Sequence, residues 1–166
     1  MLIVFFLFKE AGGLFNTPAT EEGYVLAVNK SNDVGKLSPE KIMDIFDGNI
    51  TNWKDISGMD QDILIFRFSD LTNYYTEEEL GDEFQYVPQK ISELVAKEPG
   101  IIAFFPKQYL LENDFQGKVL PEEKITLGEF FGGTKWYPTS TPAPIFGLIP
   151  LLLGTLLVSI GAIVLS

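Results

Sequence analysis

The stretch Leu37–Ile56, LSPEKIMDIFDGNITNWKDI, sets how the middle of this chain is read. Ser38 offers a side-chain oxygen to the first unpaired N–H groups of a helix. Pro39 presets the first helical φ, and Glu40 sits where the helix dipole favours an acid. Ile42, Ile45 and Phe46 recur at helical spacing and form one apolar stripe, and Gly48 stops the helix. Trp53 follows in a polar turn and is expected to plug the core, because a buried indole removes a large apolar area from water.

Outward from this helix, strand-like and helix-like segments alternate. Gly23–Val28 (GYVLAV) and Ile63–Phe68 (ILIFRF) read as strands. Thr76–Glu79 fits a capping box that opens a short helix. Phe84–Val87 reads as a third strand, and residues 89–97 as a helix buried through Ile91, Leu94 and Val95. Pro99-Gly100 then turns the chain into a fourth strand, Ile101–Phe105. This alternation predicts an α/β fold with a partly parallel, mixed sheet and flanking helices.

Composition narrows the function. The net charge is −11, with 12 basic and 23 acidic residues, so phosphodiester backbones are repelled and nucleic acid is not an expected partner. The chain has no Cys and no His, which removes thiol nucleophiles, imidazole bases, Ser-His-Asp triads and the usual zinc ligand sets. Glu77-Glu78-Glu79 lacks the Asp-x-Asp-x-Asp-Gly spacing of a calcium loop and suits a helix N-terminus instead. No catalytic residue, metal site or cofactor is expected, and the chain does not read as an enzyme. Asn29-Lys30-Ser31 and Asn49-Ile50-Thr51 are glycosylation sequons.

The two ends are apolar. All 35 charged residues (12 plus 23) lie between Lys9 and Lys135. Ile145–Leu165 is long enough to predict a transmembrane helix, because ~20 residues at ~1.5 Å each span a ~30 Å hydrocarbon core. Trp136-Tyr137, followed by Pro138, Pro142 and Pro144, suits an interfacial anchor and a stiff entry to that helix. Gly147, Gly154 and Gly161 repeat at one helical face, a pattern that favours a helix packed within a bundle. The domains expected are therefore 1–15 (end of a first spanning helix), 20–125 (lobe), 126–144 (connector) and 145–165 (spanning helix).

Two stretches resemble known families. Residues 37–56 are similar to the helix and IF-G-ITNW-D region of phosphate-binding periplasmic proteins. YVLAVNKSN (24–32), ILIFRF (63–68) and VAKEPGIIAFF (95–105) follow that family's order. The resemblance implies a single periplasmic-binding-protein-like lobe over residues 23–109. In that family the second strand is followed by an Arg and a Ser-Gly-Thr whose hydroxyls and N–H groups hold the anion at a helix N-terminus. Here Arg67 remains, followed by Phe68-Ser69-Asp70-Leu71-Thr72-Asn73, which makes Arg67, Ser69 and Thr72 the candidate ligand-binding residues. For Arg67, an ordinary salt bridge to Asp70 or another carboxylate is the competing expectation.

Residues 127–166 (LGEFFGGTKWYPTSTPAPIFGLIPLLLGTLLVSIGAIVLS) resemble phosphate ABC transporter permeases of the PstC type, and residues 1–15 look like the outer end of that family's first spanning helix. This resemblance implies a permease fragment in the cell membrane with the lobe extracytoplasmic, serving docking or regulation. Its implied partners are the remaining permease helices, ABC ATPase subunits, a solute-binding protein, membrane lipid and inorganic phosphate. Two alternatives stand beside it: a membrane-anchored phosphate or anion solute-binding protein, and a ligand-free structural interaction domain.

Overall fold

The computed structural model describes residues 20–121 and 126–165, so the segment 1–15 lies outside the described residues. Strand β1 (Tyr24–Val28) leads to helix α1 (Pro39–Phe46) and strand β2 (Leu64–Arg67). Two short helices, α2 (Leu71–Tyr74) and α3 (Glu77–Leu80), precede the longer α4 (Val87–Lys97). Strand β3 (Ile101–Pro106) and strand β4 (Lys118–Val119) complete the sheet. Helix α5 (Leu127–Gly132), strands β5 (Trp136–Tyr137) and β6 (Ile145–Phe146), and helix α6 (Ile149–Leu165) follow.

The sheet runs in the order β2-β3-β1-β4. β2 lies parallel to β3, with Leu64 opposite Ile101 and Arg67 opposite Phe104. β1 is antiparallel to both β3 and β4, so the sheet is mixed, as the alternating pattern predicts. Alternation along the strands divides the core between the two faces. Val25, Ala27, Ile101, Ala103 and Phe105 meet Val87, Ile91, Leu94 and Val95 of α4 on one face. Leu26, Val28, Ile102 and Phe104 meet Ile42, Ile45, Phe46 and Trp53 on the other. β3 is apolar at every position from 101 to 105 because both of its faces are covered.

The local signals for α1 act as expected. Ser38 Oγ accepts the Lys41 N–H at 3.4 Å, and Gly48 follows in the left-handed region at φ 77°. Trp53 is fully buried and donates its indole N–H to the Gly100 carbonyl at 2.8 Å, tying the turn after α1 to the start of β3. Asn29 is also a structural residue. Its amide donates to Val95 and Ala96 carbonyls at 2.8 and 2.9 Å, so the side chain of the first sequon is engaged in the fold.

Three expectations change. Phe84–Val87 is not a strand: Asp82–Phe84 is a tight turn with Glu83 and Phe84 at positive φ, and α4 already begins at Val87. Pro88 in its first turn presets the helical φ there. The helix expected over 145–165 begins at Ile149, because Ile145–Phe146 pairs with Trp136–Tyr137 and the Ile145 side chain is buried. At 17 residues α6 is about 25 Å long, and no helix among the described residues is long and apolar enough to cross a membrane. Gly147 accordingly lies outside α6. A Cβ on Gly133 would come within 2.7 Å of the Gly147 Cα, whereas a Cβ on Gly154 or Gly161 would meet nothing within 4 Å. Gly147 serves a close backbone crossing at the root of α6, and the other two do not share that role.

Candidate functional site

The candidate residues sit at the carboxyl end of β2, where it leaves its parallel partner β3. In open α/β sheets this is the end at which ligands bind, because strand ends and the following loops form a crevice there. β2 ends at Arg67; Ser69 lies in the single turn Phe68–Asp70; Thr72 lies in α2. All three are exposed.

Arg67 lies on an aromatic floor. Its guanidinium carbon is 5.1 Å from the centre of the Phe46 ring, a cation–π distance. Phe46 meets Phe104 edge-on at 6.1 Å, and Phe104 stacks on Tyr24 at 4.7 Å. One Arg67 Nη donates to the Phe46 carbonyl at 3.0 Å. That carbonyl belongs to the last turn of α1, where the dipole is negative and acceptors lack helical partners. Among the described residues Arg67 makes no ion pair with a carboxylate, so the salt bridge expected as the alternative is replaced by a helix C-terminal cap.

Asp70 turns towards donors that an anion would use. Its carboxylate accepts the Arg67 backbone N–H at 3.1 Å and the Ser69 hydroxyl at 3.3 Å. Arg67, Ser69 and Thr72 thus lie on successive short elements, and two of their donors face a resident negative group. Further along, Tyr75 donates its hydroxyl to the Lys90 carbonyl at 3.1 Å. Burial, then Glu93 and Glu79, pushes its phenol up and keeps it protonated. A separate cavity of about 300 Å³ between the start of α1 and α5 is lined by Glu40 and Glu129, a charge that disfavours an anion there. Sequence reasoning missed Phe46 as the partner of Arg67. Its only local sign was the helix stop at Gly48, which predicts carbonyls in need of donors.

Residues 6–156 match the profile of a PBP superfamily domain. The chain belongs to the PBP superfamily. Domains of this fold are typically non-enzymatic binding proteins. The match runs through residue 156, and thus through most of the stretch that resembles PstC-type permeases, and gives the permease-fragment reading no support. The chain is similar in structure to an ABC-type phosphate transport receptor from Vibrio cholerae. That pair has 24% identity and a TM-score of 0.46, covering 66% of this chain and 50% of the receptor. It is also similar to a Clostridium perfringens protein assigned as the substrate-binding component of a phosphate ABC transporter and solved with bound phosphate. There the identity is 24% and the TM-score 0.42, covering 63% of this chain and 46% of that one. The chain thus spans about half the length of the solved structures it matches.

Proposed function

We propose that this chain is a binding lobe of an oxyanion receptor for phosphate-type ABC uptake, with its ligand edge at Arg67, Ser69 and Thr72. What supports the reading is that the chain's sole Arg ends a parallel strand of a PBP superfamily domain, with Ser69 and Thr72 in the two short turns that follow it. Only part of the Arg67 fork is engaged by Phe46, and the planar guanidinium carries further donors suited to an oxyanion. A permease and its ATPase subunits are the partners such a lobe would serve, from the extracytoplasmic side.

Asp70 favours a second reading, a docking lobe without ligand, because its carboxylate already accepts from Arg67 and Ser69. Phosphate titration of the full chain in detergent, followed by amide NMR, separates the two. The receptor reading expects saturable shifts confined to the Arg67–Thr72 segment, at an affinity near millimolar, or ~4 kcal/mol. Silence of that segment at saturating phosphate would leave the docking lobe.

A further inference from the structure

We infer that α6 is inserted in lipid and that the aromatic residues at its root sit at the headgroup level, seating the lobe on a bilayer surface. This stands apart from the oxyanion reading and rests on different residues. From Leu151 to Ile160 every residue of α6 is exposed, and the large side chains lie on all sides of the helix: Leu156 is 56% exposed and Val158, about 200° further round, 74%. A helix that is apolar all round needs an apolar medium on every side, which a groove on one partner does not provide. Its two hydroxyls need nothing from outside. Thr155 donates to the Leu151 carbonyl and Ser159 to the Thr155 carbonyl, both at 2.8 Å, the self-satisfied state that hydrocarbon demands.

The root of the helix supplies the boundary. Phe131 is 59% and Tyr137 58% exposed, and Trp136 packs edge-on against Phe146 at 5.5 Å. Of these, Trp136 and Tyr137 combine an apolar body with a polar tip, the ring types that concentrate at membrane–water interfaces. No charged residue follows Lys135, and Lys135 is itself held by Asp44 of α1 at 3.5 Å. Leu148 and Ile149 donate their N–H groups to the Phe130 and Gly133 carbonyls at 2.8 and 3.3 Å. The helix therefore leaves the lobe from a fixed root.

The test is flotation of the full chain with neutral phosphatidylcholine vesicles. The chain is expected to float at low and high salt alike. Leu156→Lys and Val158→Lys, on opposite faces, are each expected to lower the partition about a hundredfold. Either variant floating like the wild type would mean that only one face is covered, and would overturn lipid in favour of a second copy or another protein. A wild-type chain that stays below the vesicles as a dimer would overturn it as well. The fluorescence difference between wild type and Trp136→Phe isolates Trp136 from Trp53. Brominated lipid is expected to quench that difference, and an unquenched signal would remove the headgroup-level collar.

Discussion

The guanidinium of Arg67 donates to the carbonyl of Phe46 at 3.0 Å while lying over its ring at 5.1 Å, so one side chain caps α1 and covers its last aromatic residue. The contact joins the end of β2 to the end of α1 across 21 positions of sequence. It gives Arg67 a structural role independent of any ligand.

Arg67→Ala is therefore expected to lower stability even without phosphate. A charge-assisted bond to an orphan helix carbonyl, with a cation–π contact at an exposed site, contributes about 1–2 kcal/mol. Arg67→Lys restores the charge but not the planar face, and is expected to fall between. Urea denaturation of the three chains measures this, and equal midpoints would show that the Phe46 contact contributes nothing.

Trp53 combines packing with a bond. Trp53→Ala is expected to cost ~3–5 kcal/mol, most of what a small domain has. Trp53→Phe loses the N–H donated to Gly100, but that carbonyl also accepts from Leu64 N–H at 3.0 Å and keeps a partner. The Phe variant is expected to cost clearly less than the Ala variant. A Trp53→Ala chain melting at the wild-type temperature would remove Trp53 from the core.

These two residues show what sequence can and cannot convey. Trp53, the α1 stripe and strands β1 to β3 were legible because burial and capping leave periodic, local marks, whereas the two-residue strands β4, β5 and β6 leave none. The Phe84–Val87 segment was misread because its β-favouring residues are overruled by backbone conformation: Glu83 and Phe84 adopt positive φ, which no local rule predicts for such side chains. Gly147, Gly154 and Gly161 share one spacing, yet only Gly147 is pressed against another backbone, a distinction that requires the tertiary crossing. For the candidate site, Arg67, Ser69 and Thr72 were singled out by the family resemblance. The Arg67–Phe46 contact was not, because nothing in either neighbourhood names the other.

Glu79 gives a pH dependence. Its carboxylate lies below the ordinary value of 4.5, chiefly through the Thr76 backbone N–H at 2.9 Å, with lesser help from the Thr76 hydroxyl and Lys90. A depressed folded-state value means that the charged cap stabilises α3 above the unfolded value, and that this contribution is lost as pH falls through the folded one. Glu79→Gln keeps a capping-box side chain but does not titrate there. Wild type is expected to be the more stable at neutral pH, with the gap closing in acid. Denaturation midpoints that keep a constant gap would show that the carboxylate charge is not its source.

Asp70 tests the site itself. Its carboxylate holds the Arg67 N–H at 3.1 Å and places a negative charge where an oxyanion would approach. At a few ångströms in hydrated surroundings, one like charge opposes binding by about 1 kcal/mol, roughly fivefold. Asp70→Asn removes that charge while retaining an acceptor, and is expected to tighten phosphate binding several-fold from its near-millimolar level. Asp70→Ala also frees the N–H and is expected to bind at least as tightly as Asp70→Asn. Added salt should shrink the Asn gain, because an exposed repulsion is screened within a Debye length of about 10 Å at 0.1 M. Titration calorimetry on the three chains decides it. Equal affinities would move the anion away from this edge, and micromolar binding by the wild type, abolished in Arg67→Ala, would mean that Asp70 is no obstacle and that its carboxylate yields the donors when phosphate arrives.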